Sequence, residues 1–549
     1  MPKVPFWIFI FIAIVYFTAV RVDIMDRDAT QYAETSREML NSGDYLHVYN
    51  QGKDYLDKPP FLFWSSVAGM KLFGVNNLGY RFFSILFALL AVFSTYKLGK
   101  ILYGDITGRM AALVLASCQG MFLMTNDIRC DTILMSWVIT AIWLIQEWAN
   151  NRKPLCLMGG FAAIGFGMIT KGPIALMVPV FCFTSDWILK RKWNNFLQPA
   201  YIPGIIIIAL VLLPMSIGLY QQFDMHPEKL IEGKRHVSGL RFFYWSQSFG
   251  RITGESPWKN GADISFLLVN MLWSFLPWMF LFIPAVVINI TRLVKQKFKL
   301  HPGQEWVTTG GFLLAYLVLG SSSYQLPHYI FVVFPLAAII TAKLLYDIIE
   351  GKQYPRLSKF IAPFQFVIIA LLLLATLVLI TYVFPSHPLV IAGWPVGLLI
   401  CLYLFLRKEL IGKFFWLSAA AMIIINIFIT NQLYYSLLKY QVGSQVGRYI
   451  FTNHILAESI MVYKLDDPRN SMQFYAQKTI TGSDSVKDIQ GRQYILTSNE
   501  GLNDLRQKGY NFDIQKEGAS FKVSELTLPF LDPHTRDGEL KHYYIVKLK

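Results

Sequence analysis

Acidic and basic side chains gather in two short stretches near the amino terminus, between long apolar runs. The first stretch contains Asp28 and Glu34, and the second is Tyr55-Leu56-Asp57-Lys58-Pro59-Pro60. A carboxylate that accepts a proton, together with cations that hold a phosphate, suits transfer of a group from a phosphate ester. Further single charges follow in short polar turns later in the chain: Asp131, Lys171 and Arg251.

Each of these residues also has an ordinary structural interpretation. Asp28 has a residue type that caps helices, so it predicts the N-cap of a short interfacial helix from about Ala29 to Asn41, with Glu34 and Arg37 on its solvated face. A single lysine at a helix end, such as Lys171, commonly extends to the lipid headgroups. The functional interpretation therefore rests on whether these charges share one side of a membrane.

The composition requires a membrane protein. Of 549 residues, 54% are hydrophobic and 15% are charged, which is too apolar for a soluble chain of this length. The net charge is +15, but the basic residues fall mainly between apolar runs, where they set topology and do not indicate a nucleic-acid partner. The first apolar run, from Pro5 to about Val20, lacks a small-residue cleavage site and is expected to stay as a helix.

Apolar stretches long enough to cross a bilayer predict about thirteen helices. They lie near residues 5–22, 80–97, 109–125, 132–149, 155–170, 172–189, 200–220, 263–290, 306–321, 327–346, 360–383, 388–406 and 413–433.

The distribution of Lys and Arg predicts the orientation of these helices. With the amino terminus in the cytoplasm, every inside loop is basic, as in Lys190-Arg191-Lys192, which agrees with the positive-inside rule. The loops at residues 22–61 and 221–262 then lie outside, as do the turns that contain Asp131 and Lys171. All the candidate charges consequently map to one membrane face.

The polar tail, residues 440–549, has a different character. Short apolar runs such as Gln493-Tyr494-Ile495-Leu496-Thr497 alternate with polar segments of helical type, which predicts a small external α/β domain. Residues 1–435 are expected to form the helical membrane domain.

Several motifs together resemble a known family. The segment from Asp28 to Leu40, the Asp57-Lys58-Pro59-Pro60 turn and Thr170-Lys171-Gly172-Pro173 are similar to the bacterial aminoarabinose transferases that modify lipid A, relatives of the protein O-mannosyltransferases in the GT-C class. Further matches are Trp245 with Arg251-Ile252-Thr253-Gly254, Phe275-Leu276-Pro277-Trp278 and Ser321 to Tyr329. The resemblance runs from residue 26 to about 335.

The resemblance implies roles for these residues. Asp28 would be the catalytic carboxylate, and Glu34 would support it. The remaining residues would bind the substrate: Lys58, Lys171, Arg251 and Tyr329 at the carrier phosphate, and Tyr55, Asp57 and Asp131 around the pocket. The donor would be an undecaprenyl-phosphate sugar used in an inverting displacement.

The sequence departs from the family at three places: Ser246-Gln247 replaces Glu-His, Gln325 replaces a basic residue, and Ala29 replaces an acid. We therefore predict no metal ligand and no cofactor.

The sequence predicts a glycosyltransferase of the bacterial inner membrane that acts at the periplasmic face on a lipid A-like or other envelope acceptor. A protein O-mannosyltransferase remains an alternative, because it differs only in its acceptor. A lipid or sugar transporter is the alternative from another class, but it predicts charges near the bilayer midplane and an internal repeat.

Overall fold

The computed structural model describes residues 4–231, 233–253, 255, 259–407, 412–465 and 468–549, with residues 251 and 252 described by their backbone alone. The chain up to about residue 440 forms a bundle of helices, and the remainder folds around a mixed sheet. The helices of the bundle are α1 (Phe6–Phe17), α2 (Asp28–Ser42), α3 (Phe61–Phe73), α4 (Asn77–Tyr103), α5 (Asp105–Ser117), α6 (Gln119–Asn126), α7 (Cys130–Asn151), α8 (Pro154–Lys171), α9 (Ile174–Leu189), α10 (Tyr201–Leu219), α11 (Gly239–Arg241), α12 (Phe249–Thr253), α13 (Phe266–Ser274), α14 (Met279–Lys295), α15 (Val307–Gly320), α16 (Phe334–Ile349), α17 (Pro355–Val378), α18 (Pro388–Leu406), α19 (Lys413–Phe428) and α20 (Tyr434–Leu437).

Long apolar helices dominate the bundle. Among the described residues, eight helices are long and apolar enough to cross a membrane, or nine if α5 and α6, which meet at 54°, form one span. Four shorter apolar helices, α1 with its 3-10 extension, α3, α9 and α15, accompany them. The count of thirteen spans therefore stays a prediction.

Two of the predicted spans are broken by local chemistry. Residues 263–290 form α13 and α14, which are separated around Pro277, because proline removes a backbone donor and cannot continue a helix. The span at 109–125 bends at Cys118, whose backbone is extended. The division at Gly172-Pro173 is present as predicted, with α8 ending at Lys171 and α9 beginning at Ile174.

Small residues allow close helix packing where α3 and α4 meet. A Cβ atom on Gly69 would lie 2.1 Å from the carbonyl oxygen of Gly79. Glycine therefore lets the two backbones touch at this crossing.

The first loop contains the helix that its sequence predicts. α2 begins at Asp28 and ends at Ser42, before Gly43 in the left-handed conformation that glycine adopts without strain. The predicted solvated face is wrong, because Glu34 and Arg37 are buried where α2 packs against α3 and the tail. The N-cap interpretation of Asp28 is also wrong, since Arg27 occupies that position and Asp28 bonds elsewhere.

The tail forms a five-stranded sheet in the order β4-β3-β5-β7-β6. Strands β4, β3 and β5 are parallel, with Met461 opposite both Thr481 and Ile495, whereas β7 pairs antiparallel with β5 and β6. The elements are β3 (Ile460–Tyr463), β4 (Thr481–Ser483), β5 (Tyr494–Ser498), β6 (Phe512–Ser520), β7 (Lys541–Leu548), α21 (Val442–Thr452), α22 (Arg469–Ala476), α23 (Asn499–Gln507), α24 (Leu528–Leu531) and α25 (Arg536–Glu539); a small hairpin of β1 (Tyr49–Asn50) and β2 (Lys53–Asp54) lies in the first loop.

The tail is hydrogen-bonded to the chain just before α2. Gln441 donates to the carbonyl of Ile24 (2.8 Å) and accepts from the backbone of Asp26 (2.9 Å), while the Tyr475 hydroxyl accepts from the backbone of Ile24 (2.8 Å). Arg448 pairs with Asp23. The tail thus fixes the backbone that leads into Asp28.

Candidate functional site

A cavity of about 110 Å³ lies where the first loop meets the ends of α7, α8 and the 3-10 turn before α16. These elements come from distant parts of the chain, and each brings a charged or polar side chain to the cavity. The polar residues that line it include Asp28, Lys58, Arg129, Asp131, Lys171, His328 and Tyr329.

Arg129 connects Asp28 to the turn before α7. Its Nη1 donates to Oδ2 of Asp28 at 2.6 Å, and its Nε donates to Oδ2 of Asp127 at 2.8 Å. Burial lowers the pKa of Arg129, whereas the carboxylates of Asp127 and Asp28 raise it. The net effect is a pKa above the ordinary value. The guanidinium therefore stays charged and holds the Asp28 carboxylate in one direction.

Lys58 contributes the second cation and is anchored by its neighbour. Its Nζ lies 2.6 Å from Oδ2 of Asp57, and Gln247 donates to the backbone carbonyl of Asp57. Burial lowers the pKa of Lys58, but Asp57 together with weaker contributions from Cys130 and Tyr329 raises it overall, so the ammonium is retained. The turn that contains Lys58 is thereby tied to the loop after α11.

Lys171 contributes the third cation, at the end of α8. Its Nζ lies 2.5 Å from Oδ1 of Asp131 and 4.1 Å from the centre of the Tyr329 ring. Nε2 of His328 lies 3.6 Å from the other oxygen of Asp131, which is 3% exposed. Each cation that lines the cavity in the described structure thus has a carboxylate partner, as a partly dehydrated site requires.

One wall of the cavity is apolar. Leu134, Ile174, Met177, Leu319 and Val332 form it from four different helical segments. Charged groups at one side and aliphatic groups at the other match an amphiphile that has an anionic head and a hydrocarbon chain.

The structure brings together most of the residues predicted from sequence. Asp28, Lys58, Asp131, Lys171 and Tyr329 line the cavity, and Asp57 contacts it through Lys58.

Three predicted residues are not shown at the cavity. Glu34 does not line it, because it is buried and accepts two hydrogen bonds from Arg37, at 2.6 and 2.7 Å. Tyr55 lies behind Lys58, where its ring packs against Phe63. The side chain of Arg251 is outside the described residues.

The predicted site residues omitted Arg129, His328 and Gln247, all of which line the cavity. Arg129 carried a usable signal, since it is a basic residue in an outside turn where the charge bias does not explain it. His328 belongs to the Ser321 to Tyr329 motif, but only the fold places it beside Asp131.

A metal site is not evident among the described residues, where no three His, Cys, Asp or Glu side chains form a cluster suited to an ion. The absence of a metal ligand stays a prediction.

Comparisons with known proteins identify proteins that this chain resembles. Residues 57–217 match the family described as dolichyl-phosphate-mannose-protein mannosyltransferase. The chain is 27% identical over 311 residues to the undecaprenyl phosphate-alpha-4-amino-4-deoxy-L-arabinose arabinosyl transferase 1 of Pseudomonas fluorescens (strain Pf0-1), an alignment that covers 55% of this chain and 50% of that protein. The chain thus spans about half the length of this curated relative.

Two solved structures share the fold. ArnT from Cupriavidus metallidurans, bound to undecaprenyl phosphate, superposes with a TM-score of 0.73 at 16% identity and covers 98% of this chain and 97% of its own. The oligosaccharyltransferase AglB from Archaeoglobus fulgidus, in complex with an inhibitory peptide and a dolichol-phosphate, gives 0.50 at 11% identity over 90% and 70%. The predicted GT-C fold and the family resemblance are confirmed.

Proposed function

We propose that this protein is a membrane glycosyltransferase that moves a sugar from undecaprenyl phosphate to a lipid A-like or other cell-envelope acceptor. The observation that supports the proposal most directly is the convergence of Asp28, Lys58 and Lys171 on one amphipathic cavity. The name of the Pseudomonas fluorescens transferase includes undecaprenyl phosphate, and the Cupriavidus metallidurans ArnT structure has undecaprenyl phosphate bound.

The donor would bind with its phosphate among the cations. Lys58, Lys171 and Arg129 supply donors for phosphate oxygens, and the carboxylates that now pair with them keep those cations charged and oriented in its absence. The first isoprene units would lie along the wall formed by Ile174 and Met177. Arg251 would add a further cation, as the family resemblance implies.

Asp28 would act on the acceptor. Among the described residues only its Oδ2 is hydrogen-bonded, to Arg129, so Oδ1 is available to a hydroxyl. In the reaction the acceptor oxygen bonds to the anomeric carbon, the proton of the acceptor passes to Asp28, and the bond from that carbon to the phosphate oxygen breaks. The departing lipid phosphate keeps the electron pair, and the lysines stabilise its added charge. One such displacement inverts the anomeric configuration.

The basic inside loops support a periplasmic position for this chemistry, in the inner membrane of a bacterium. A transporter is less consistent with the arrangement, because the charged residues described here lie at the ends of α7 and α8 and not in their centres.

A protein O-mannosyltransferase is the second candidate, since the matched family profile carries that description. Both enzymes would use a lipid-linked sugar, so only the acceptor distinguishes them.

The test is direct sugar transfer by the purified protein. The protein would be incubated with undecaprenyl-phosphate sugars and either lipid A or a serine- and threonine-rich peptide, and the products weighed by mass spectrometry. We expect a lipid product that carries one added sugar, and no product with Asp28→Asn. Addition of a sugar to the peptide alone would favour a protein O-mannosyltransferase. If the donor stays intact and no acceptor receives a sugar, the result counts against both candidate functions.

A further inference from the structure

A second cavity lies at the other end of the bundle from Asp28. Its volume is about 240 Å³, and it is formed by the ends of α4, α14 and α16 and by the chain before α15. The 3-10 turn that contains His328 leads into α16, and Lys343 follows His328 by fifteen residues. From the rise per residue of a 3-10 turn and of an α-helix, these fifteen residues span roughly 25 Å, which separates the two cavities. This distance is close to the thickness of a bilayer core.

Two helices present regular stripes to this cavity. On α14 the stripe is Ala285, Asn289 and Arg292, continued by Gln296 directly after the helix, with spacings of three and four residues. On α16 it is Ile340, Lys343 and Asp347. Such spacings place side chains on one face of a helix. In both stripes the apolar residues, Ala285 and Ile340, lie toward the interior of the bundle. The charged residues, Arg292, Lys343 and Asp347, lie nearer the end of the helix. The cavity is therefore polar at its mouth and apolar at its depth.

The polar mouth has both donors and acceptors available. Arg292 is exposed and makes one described hydrogen bond, from Nη2 to the hydroxyl of Tyr354 at 3.0 Å. Asp347 accepts from Lys343 through Oδ1 alone, and the buried Oε1 of Gln296 has no hydrogen-bond partner among the described residues. A buried acceptor without a partner is costly and indicates a missing donor.

The second acid of the cavity, Glu305, is already satisfied. Glu305 accepts from Tyr103 and from both the backbone and the hydroxyl of Thr308. It is therefore not available to a ligand. Among the described residues, the groups that can still form hydrogen bonds are the guanidinium of Arg292 on one side, and Oδ2 of Asp347 and Oε1 of Gln296 on the other.

We propose that this cavity binds the headgroup of an aminophospholipid. The phosphate would accept hydrogen bonds from Arg292, and the ammonium would donate to Asp347 and to Oε1 of Gln296. The acyl chain would enter the apolar part beside Ala285 and Ile340. A free phosphate ion satisfies only the guanidinium, and an anionic lipid without an amine brings no cation to Asp347. The proposal is independent of the proposed transfer reaction, because none of these residues lines the first cavity.

The experiment uses the full-length protein in detergent, with the midpoint of thermal unfolding as the readout. The added probes are dihexanoyl phosphatidylethanolamine, dihexanoyl phosphatidylglycerol, and inorganic phosphate with ethanolamine. For the wild type we expect the ethanolamine lipid to raise the midpoint most, the glycerol lipid less, and the separate ions not at all. Arg292→Gln should weaken the apparent affinity for both lipids about tenfold, and Asp347→Asn should remove the preference for the amine.

Lys295→Gln is the matched control, since Lys295 is an exposed cation on the same helix that does not line the cavity. It should respond as the wild type does. The proposal is overturned if the wild type does not respond to the ethanolamine lipid, if Arg292→Gln and Asp347→Asn respond as the wild type does, or if the separate ions reproduce the lipid effect.

Discussion

Arg129 is hydrogen-bonded to two carboxylates at once, Asp28 at 2.6 Å and Asp127 at 2.8 Å. One guanidinium thus joins a helix of the first loop to the turn before α7, a hundred residues later. The orientation of Asp28 is therefore a tertiary property, since the local sequence around it supplies a helix but no partner for its carboxylate.

Replacement of Asp28 by Asn should lower the rate of sugar transfer by about 10²- to 10⁴-fold, because the acceptor hydroxyl loses its proton acceptor. Mass spectrometry of the products measures the rate, and the unfolding midpoint reports on the fold. Asp484→Asn, an exposed carboxylate of the tail, is the control and should keep full activity. A normal rate in Asp28→Asn removes this residue from the reaction.

Replacement of Lys171 by Met should weaken binding of the lipid-phosphate donor about 10- to 100-fold, the loss expected for one charge-assisted hydrogen bond. The single change also leaves Asp131 without its cation. The double variant Lys171→Met with Asp131→Asn removes that unpaired charge, so its stability should recover while donor binding stays weak. If donor binding recovers as well, Lys171 serves only to neutralise Asp131. Lys53→Ala, an exposed residue of the same outer region, is the control.

Glu34 should make the stability of the protein depend on pH. Burial raises the pKa of Glu34 to about 7 although Arg37 lowers it. In the unfolded chain Glu34 has its ordinary pKa near 4.5, so it releases its proton at a lower pH than in the folded protein. The free energy of unfolding therefore falls as pH rises from about 4.5 to 7, by up to about 3 kcal/mol. Unfolding midpoints of the wild type and Glu34→Gln between pH 5 and 8 measure the effect. The wild type should lose stability with pH more steeply, whereas the exposed Glu458→Gln should follow the wild type. Parallel curves for wild type and Glu34→Gln would contradict the assignment.

Arg81 should be essential for stability although it lies outside the cavity. It is fully buried and donates to the carbonyls of Val22, Asp23 and Asn126. Lysine at this position reaches fewer of them, so Arg81→Lys should destabilise the protein by about 2–4 kcal/mol. Thermal unfolding measures the loss, with the exposed Arg191→Lys as the control. An unchanged midpoint would show that the three carbonyls are satisfied in another way.

The hydrogen bonds from the tail should protect the loop before α2. Removing three of them in a double variant, Gln441→Leu with Tyr475→Phe, should speed tryptic cleavage after the exposed Arg27. The fragments are identified by mass spectrometry. Ser485→Ala, on the outer part of the tail, should leave the cleavage rate unchanged. Equal rates in all three proteins would mean that the tail does not restrain this loop.

The sequence predicted the elements of this protein better than their environments. The helix after Asp28 followed from its polar pattern, and the structure has it within one residue at each end, although Asp28 is not its N-cap. The buried state of Glu34 and Arg37 was not predictable, because the surface that covers them includes α22, more than 400 residues away.

The same distinction applies to the site. The residue types and the shared membrane face of Asp28, Lys58 and Lys171 were visible in the sequence, and they indicated one cavity. The pairing of each cation with a particular carboxylate was not visible, because Asp131 has Lys171 and His328 as neighbours only after α7, α8 and the 3-10 turn before α16 have packed. Pro277 breaks the predicted span at 263–290, because proline cannot continue a helix. A hydropathy average over that span does not detect the break.

The tail contacts at Ile24 and Asp26 also constrain biogenesis. These partners are 415 to 451 positions apart, so during synthesis the first loop leaves the ribosome long before Gln441 and Tyr475 exist. The loop that precedes Asp28 can acquire its final contacts only after the last helix has inserted and the tail has reached the same membrane face. The proposed activity should therefore appear only after Tyr475 has been synthesised, and pulse-labelling followed by protease treatment would measure that interval.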